Sequence, residues 1–488
     1  MSQEAALIID IGTGSTRVAV ITSEGTLVTI KGVKNNYHLD NRYKDAKYFL
    51  PEELKQTIFQ LIHEVLNELK GVSIKYVSSS AARESFVLID GKGQDYYGLP
   101  NIDNRGKDWL KDIPEREYIE KYTGRPLTED FGAMKLYGLK QKRAELFQSI
   151  DYVISISDWI GYLFTEQIEM EYSQASETQL FNIYTKKWDQ KLCDAFGIEL
   201  SVLPPVTKTG ARHKIAEKIK DQFDLGQECV YVVGGADTQL AAQGIDLAED
   251  EIGLISGTSS PVVKYQAQIP DFEKNKEFNF WCSCNLAGEG YQIETNPGVT
   301  GLNLQQIMDS LVKDTSYQKI NQYIEKNYHH LKCLASFTTQ SPYKNVAFSS
   351  GGFLMDVPFS QEIVYEDFIH AIVADIAFSI AFKIRQNEVL SQTTAAFIVG
   401  AGGGLRMETL CQMIADLTEK KLLLKENYDE ASIIGAARVC FSADSSMKER
   451  AILHEYEPNS NNEYLREKLE RWLMYREQIN SKKEIGAF

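Results

Sequence analysis

Two carboxylates in this chain stand at turns where they could do chemistry. Asp10 opens Asp10-Ile-Gly-Thr-Gly-Ser-Thr-Arg17, set between the apolar runs 6–9 and 18–21. Asp237 lies in Gly234-Gly-Ala-Asp-Thr-Gln239, entered from the apolar run 230–233 and followed by Leu240-Ala-Ala242. In the first stretch Gly12 and Gly14 predict a β-hairpin whose backbone amides converge on an anion, with Thr13, Ser15 and Arg17 beside it. Taken alone, the segment reads equally well as an ordinary tight hairpin with a surface Asp. Asp237 falls where a strand ends and a helix begins, the usual ligand edge of an open α/β sheet. A catalytic carboxylate and a helix N-cap satisfy that local pattern equally.

A second copy of the hairpin tips the balance. Ile252-Gly-Leu-Ile-Ser-Gly-Thr-Ser-Ser-Pro-Val-Val-Lys264 repeats the plan, with Gly257, Thr258 and Ser259 in the places of Gly12, Thr13 and Gly14. A repeat at half the chain length predicts two similarly built domains, 1–245 and 246–488, each offering an anion nest toward a polyphosphate held between them. Asp10 has Ile255 as its counterpart in the second copy. A carboxylate that served only the turn should recur with it, so Asp10 is read as serving a cation, Mg²⁺ on the phosphates, through water.

The third glycine cluster, Gly400-Ala-Gly-Gly-Gly404, follows a predicted strand at 395–399 and precedes a helical face of Met407, Leu410, Cys411, Ile414 and Leu417. Here a flat base or ribose could approach the backbone. Neither a GxGxxG unit with its following acid nor a GxxxxGK[ST] loop is present, so any nucleotide site must be of a two-lobed kind. Apolar spacing predicts a helix at 51–69, then a strand at 75–79, and the class is α/β.

Length and composition set the frame. With 488 residues, 43% of them apolar, two or three packed domains are expected. The net charge of −16 argues against nucleic-acid and anionic-membrane partners and leaves a small molecule. No signal-peptide pattern or spanning stretch is expected, and the apolar region 368–382 reads as a core helix. The seven cysteines are scattered, and Cys282 with Cys284 makes a poor metal site, so buried thiols in a reducing cytoplasm are expected. Residues 459–483 read as a polar loop and a charged amphipathic helix that packs on the second lobe or makes a homodimer contact.

These pieces, in this order, resemble the FGGY carbohydrate kinases of the actin-like ATPase superfamily. Further matching stretches are Ser157-Asp-Trp-Ile-Gly-Tyr-Leu-Phe-Thr165, Glu171-Tyr-Ser-Gln-Ala-Ser-Glu-Thr178, Leu203-Pro-Pro-Val206, Tyr365-Glu-Asp-Phe-Ile-His-Ala-Ile372 and Glu430-Ala-Ser-Ile-Ile-Gly-Ala-Ala437. The resemblance implies two ribonuclease-H-like domains over a cleft, a sugar or polyol held mainly by the first and ATP mainly by the second. It makes Asp237 the general base and a Mg²⁺ neighbour with Asp10. The nucleotide falls to Gly12, Thr13, Gly14, Ser15, Arg17, Gly257, Thr258, Ser259, Gly402, Gly403, Gly404 and Met407. The acceptor falls to Arg83, Glu84, Asp103, Arg105, Thr238 and Gln239. Three positions depart from the family pattern: Asn101 and Gly138 each replace a Trp, and Met407 replaces a polar residue of the purine pocket. Arg83-Glu84 with Asn101-Ile-Asp-Asn-Arg105 looks most like the autoinducer-2 kinase branch, with xylulokinases next. An actin- or chaperone-like ATPase shares the nests but has no need of this polar acceptor set. A catalytically weak sugar sensor would have no need of both Asp10 and Asp237.

Overall fold

The computed structural model describes residues 3–275, 278–312, 316–341, 347–348, 350–442, 447–460 and 462–481. Strands Gln3–Ile11 and Ser15–Thr22 pair antiparallel around the first glycine turn, placing Asp10 opposite Arg17. They belong to a six-stranded sheet ordered Arg212–Lys214, Val230–Ala236, Val72–Ala81, Gln3–Ile11, Ser15–Thr22, Leu27–Lys34. The strands Gln3–Ile11, Val72–Ala81 and Val230–Ala236 run parallel, so their carboxyl ends share one edge. Ser80 pairs with Asp10 on one side and with Gly235 on the other. Two strand spacings, about 10 Å, therefore separate the two carboxylate-bearing strands, and the chain leaving Val72–Ala81 carries Arg83 and Glu84 between them. Gly234 makes this possible: a Cβ there would lie 1.7 Å from the Ser79 carbonyl oxygen.

The second sheet repeats the device. Its seven strands are ordered Phe280–Cys284, Tyr291–Thr295, Val262–Gln266, Ile252–Ile255, Ile398–Ala401, Leu422–Lys425, Ile452–Tyr456. Ile252–Ile255 and Val262–Gln266 form the second hairpin, and Ile398–Ala401 runs parallel beside it with Ile255 opposite Ala401. The helix expected at 51–69 is Pro51–Glu68, and the core helix at 368–382 extends over Tyr365–Ser391. The strand expected at 395–399 starts and ends later, at Ile398–Ala401: Ala396 and Phe397 are exposed, whereas Gly400 packs closely on Leu405 and Leu424.

The sheets are joined by two helices, Asp237–Gly244 and Ala431–Phe441, which cross without intervening side chains. A Cβ on Gly435 would meet the Leu240 carbonyl oxygen at 1.8 Å, and one on Gly244 the Ala431 carbonyl oxygen at 1.9 Å. Although a division at 245/246 assigns Ala431–Phe441 to the second lobe, its Ile433, Ile434, Ala437 and Phe441 pack with Ile8, Ile21, Tyr76 and Val232 of the first sheet. The C-terminal helix Glu463–Ser481 lies on the second half. There Trp472 donates to Asp375 Oδ1 at 2.7 Å, and the fully buried Arg476 binds the carbonyls of Thr338 and Gln340. Cys282 and Cys284 are buried in a cluster shared with Phe86, Ala175 and Phe181 of the first half. Burial pushes the Cys284 thiol up to about 11, as inert buried thiols require. Among the described residues no His, Cys, Asp and Glu side chains group as a metal cluster, and no helix is long and apolar enough to cross a membrane.

Candidate active site

Asp237 is the first residue of its helix. The N-cap is Ala236, and no side chain caps this end. The carboxylate instead accepts from Thr238 Oγ1 at 3.2 Å. Burial raises the Asp237 pKa to about 7; nearby Arg83 pulls it down, while Asp10 and Glu84 push it further up. A carboxylate poised there suits proton transfer near neutrality. The strand end before it is braced by Glu171, which accepts from Ser173 N at 2.7 Å and Thr209 Oγ1 at 2.6 Å, while Ser173 Oγ accepts from Ala236 N at 3.0 Å.

Beside this edge lies a cavity of about 510 Å³ lined from both halves: Asp45, Lys47, Glu84, Asn101 and Asp130 from the first, Ser259, Trp281, Glu294, Asn296 and Gln340 from the second. Glu84 holds a left-handed φ of 56°, costly for a residue with a side chain. Fully buried Lys135 fixes that turn, donating to the carbonyls of Glu84 at 2.5 Å, Pro100 at 2.9 Å and Asn101 at 3.2 Å. Its desolvation lowers the Lys135 pKa to about 8. Arg83 makes a bidentate pair with Glu294, at 2.6 and 3.1 Å, and lies over the Trp281 ring. Glu177, paired with Arg125, is held well above the carboxylate range by burial and by the adjoining Glu84.

Asp103 and Arg105 do not line this cavity. Arg105 Nε donates to Asp103 Oδ2 at 2.6 Å, Asp103 Oδ1 accepts from Lys47 N at 2.9 Å, and the guanidinium lies between Tyr43 and Tyr97. Arg105 Nη2 donates to the Lys47 carbonyl at 3.0 Å and to Tyr97 Oη at 3.2 Å, so the pair braces the loop that presents Asn101 against the segment around Lys47. Gln239 likewise turns away, donating to Ser283 Oγ at 3.2 Å. The two missing tryptophans have local explanations. Asn101 Nδ2 donates to Thr13 Oγ1 at 2.7 Å, tying this loop to the first hairpin. At Gly138 a Cβ would meet the Arg105 carbonyl oxygen at 2.7 Å, leaving no room for an indole.

The first hairpin carries a charged network. Asp10 Oδ2 accepts from Arg17 at 2.7 and 3.1 Å, Asp10 Oδ1 accepts from Ser432 Oγ at 2.9 Å, and Arg17 also binds Glu430. Arg17 is thus held by two carboxylates rather than free for phosphate. Gly12 and Ser15 close the turn, with Gly12 N donating to the Ser15 carbonyl at 3.0 Å, and a Cβ on Gly14 would meet nothing within 4 Å.

The second hairpin borders a cavity of about 620 Å³ lined by Gly257, Thr258, Gly301, Leu302, Tyr317, Asn321, Gly403, Gly404, Arg406 and Met407, among others. Gly257 abuts the N-terminus of helix Gly301–Leu311, whose Leu302 N–H reaches the Thr258 carbonyl; turn amides and helix end together suit an anion. Ser259 faces the other cavity. Gly402, with φ 92°, lies against the Ser256 carbonyl, where a Cβ would come within 2.3 Å. It packs the glycine turn onto the hairpin, leaving Gly403 and Gly404 to line the cavity.

Sequence reasoning missed Glu294, Trp281, Lys135 and Asn321. Trp281 and Glu294 stand opposite one another on paired strands, a register no local motif announces. Lys135 sat in a segment read only for its lost Trp.

Three comparisons bear on these sites. The model of the FGGY family of carbohydrate kinases, N-terminal domain, matches residues 5–244. YoaC of Bacillus subtilis (strain 168), which carries a provisional sugar-kinase name, is 35% identical over 445 residues, covering 90% of each chain. An autoinducer-2 kinase of Salmonella choleraesuis is 22% identical over 435 residues, 84% of this chain and 81% of its own. In fold, the chain is similar to a ligand-bound xylulose kinase from Lactobacillus acidophilus, with a TM-score of 0.83, 18% identity and 98% of each chain covered.

Proposed function

This chain belongs to the FGGY carbohydrate kinases, with their two-domain actin-like ATPase fold, and from that premise we propose that it phosphorylates a small neutral, open-chain polyhydroxy ketone with ATP. A dihydroxydione hydrate of the autoinducer-2 precursor type is the first candidate and a ketopentose the second. One observation carries the reading: Asp237 is uncommitted as a cap with its pKa raised to about 7, and Glu84, whose charge pushes it up, lines a cavity where Asp45, Glu84 and Asp130 of the first half outnumber the cation Lys47. Carboxylates accept from hydroxyls and repel the carboxylate of a sugar acid.

In this reading residues 1–245 form the sugar-binding lobe and 246–488 the ATP-binding lobe. The acceptor lies against Glu84 and Arg83, and Asp237 takes its hydroxyl proton as the oxygen attacks in line. ATP phosphates rest on the amides of the Gly12–Ser15 and Gly257–Ser259 turns, with the base in the cavity beside Gly403, Gly404 and Met407. Asp10 and Asp237 are two carboxylates flanking the same edge, the number that suits a Mg²⁺ otherwise held by phosphates and water. Since Asp10 already accepts from Arg17 and Ser432, it would reach the ion through water. Bound there, the ion neutralises charge on the transferring group. The actin-like mechanical reading loses its ground with the family assignment. Seven free, buried cysteines suit a cytoplasmic site of action.

A phosphorylation screen of the purified protein with ATP against ketoses, polyols, sugar acids and the autoinducer precursor tests the proposal. Turnover is expected with neutral open-chain acceptors. Gluconate as best acceptor, with neutral ketoses inert, would refute the substrate class and leave the family intact.

A further inference from the structure

The acceptor cavity is completed by the half that the family reading assigns to ATP. We propose that Glu294 is an acceptor-reading residue which, through its pair with Arg83, couples acceptor binding to closure of the two halves; this rests on the kinase reading above. Arg83 leaves the central strand of the first sheet, and Glu294 lies on Tyr291–Thr295 of the second. Both are buried, at 8% and 2% side-chain exposure, so the pair crosses the cleft inside the protein. Burial alone would lower the Arg83 pKa, yet Glu294, with Glu177 and Glu84 behind it, carries it well above its usual value.

The hydrogen-bond count explains the acceptor role. Glu294 Oε2 accepts from Arg83 Nη1 at 2.6 Å, and Oε1 accepts from Arg83 Nη2 at 3.1 Å and Asn296 Nδ2 at 3.1 Å. An ionised carboxylate has about four lone-pair sites, so one remains, on a side chain that lines the cavity. Being acceptor-only, it favours a hydroxyl donor and disfavours an anion. The same count explains closure. Parting the sheets would strip Arg83 of its bidentate partner, and breaking a buried pair by removing one member is costly. A hydroxylated ligand that bridges Glu84 on one side and Glu294 on the other binds only when the pair is made, which adds to that cost of opening and so favours the closed arrangement. Trp281, 5.3 Å from the Arg83 guanidinium and opposite Glu294, reports on it.

The test compares the intact protein with Glu294→Gln, which keeps the shape and removes the charge. The expected result is a rise of tenfold or more in acceptor KM with ATP KM within twofold. Acceptor-induced changes in Trp281 fluorescence and in the radius of gyration should also be lost. Glu294→Asp, which restores the charge on a shorter stem, should recover part of the acceptor affinity. If Glu294→Gln phosphorylates the acceptor with unchanged KM, or loses acceptor and ATP affinity together, Glu294 does not read the acceptor. If the unaltered protein phosphorylates no sugar or polyol, the kinase reading fails first and this proposal falls with it.

Discussion

The two glycine hairpins share a backbone plan and differ in the charge around it. The first is charged: Asp10, Arg17, Glu430 and Ser432 are linked around it. The second is neutral: Ser256, Ser260 and Thr300 form a chain of hydroxyls at 3.0 and 2.8 Å, and Ile255 stands where Asp10 would be. Backbone amides suffice to hold phosphate oxygens in either copy. In the proposed function the charged side chains answer to what only one copy would do, which is to flank Mg²⁺ and the acceptor near Asp237.

The comparison breaks most sharply at Asp237. Asp237→Asn is expected to lower kcat by about two to four orders of magnitude while ATP binding by calorimetry persists. In the unaltered protein kcat should rise with pH through about 7 as Asp237 loses its proton, and that limb should vanish in the variant. Retained turnover would return Asp237 to a structural role. Next comes Asp10→Ala, for which about a 10- to 100-fold loss of apparent Mg²⁺ affinity is expected, partly recovered by added Mg²⁺. Ile255→Asp in the other hairpin should leave Mg²⁺ dependence unchanged in the same titration. Equal metal responses would end the distinction between the copies.

Gly402→Ala should destabilise by about 1 to 3 kcal/mol in urea unfolding, since it adds a Cβ against the Ser256 carbonyl and forces a positive φ. Gly14→Ala meets open space and should cost under about 0.5 kcal/mol, any change appearing in ATP KM instead. A stability effect returns to Asp237. Because its folded pKa lies above the unfolded value, the native state holds the extra proton between about pH 4 and 7, and stability falls as pH rises through that window. Asp237→Asn should thus be more stable at pH 8 by about 1 kcal/mol or more, read as a Tm shift of ~2 to 4 °C. A variant no more stable at pH 8 than at pH 5, relative to the parent, would contradict the raised pKa.

What could be read from sequence was whatever is local and repeated. Gly-Thr-small-Ser between apolar runs announces its hairpin because turn, strands and register lie within a dozen residues. Pro51–Glu68 announces itself through one buried stripe of Ile58, Leu61, Ile62 and Val65. Asp103 and Arg105 came from the family resemblance, which carries no account of their surroundings: their partners Lys47, Tyr43 and Tyr97 come from distant segments. Glu294 was illegible for the converse reason: its meaning depends on Arg83, 211 positions away. Even the division at 245/246 hides one long-range exchange, the helix Ala431–Phe441 on the first sheet.

That exchange has a consequence for biosynthesis. A ribosome that has just delivered the strand Val230–Ala236 and the helix Asp237–Gly244 has made the first sheet but not the helix that covers it; roughly two hundred further residues must be translated before Phe441 emerges. At ordinary elongation rates of about 5 to 20 residues per second, the completed face of Ile8, Ile21, Tyr76 and Val232 waits on the order of 10 to 40 s for Ile433, Ile434 and Phe441. The nascent chain must therefore shelter an apolar face while roughly two hundred of its 488 residues are made, and a message truncated anywhere before codon 431 yields a first half that lacks its cover.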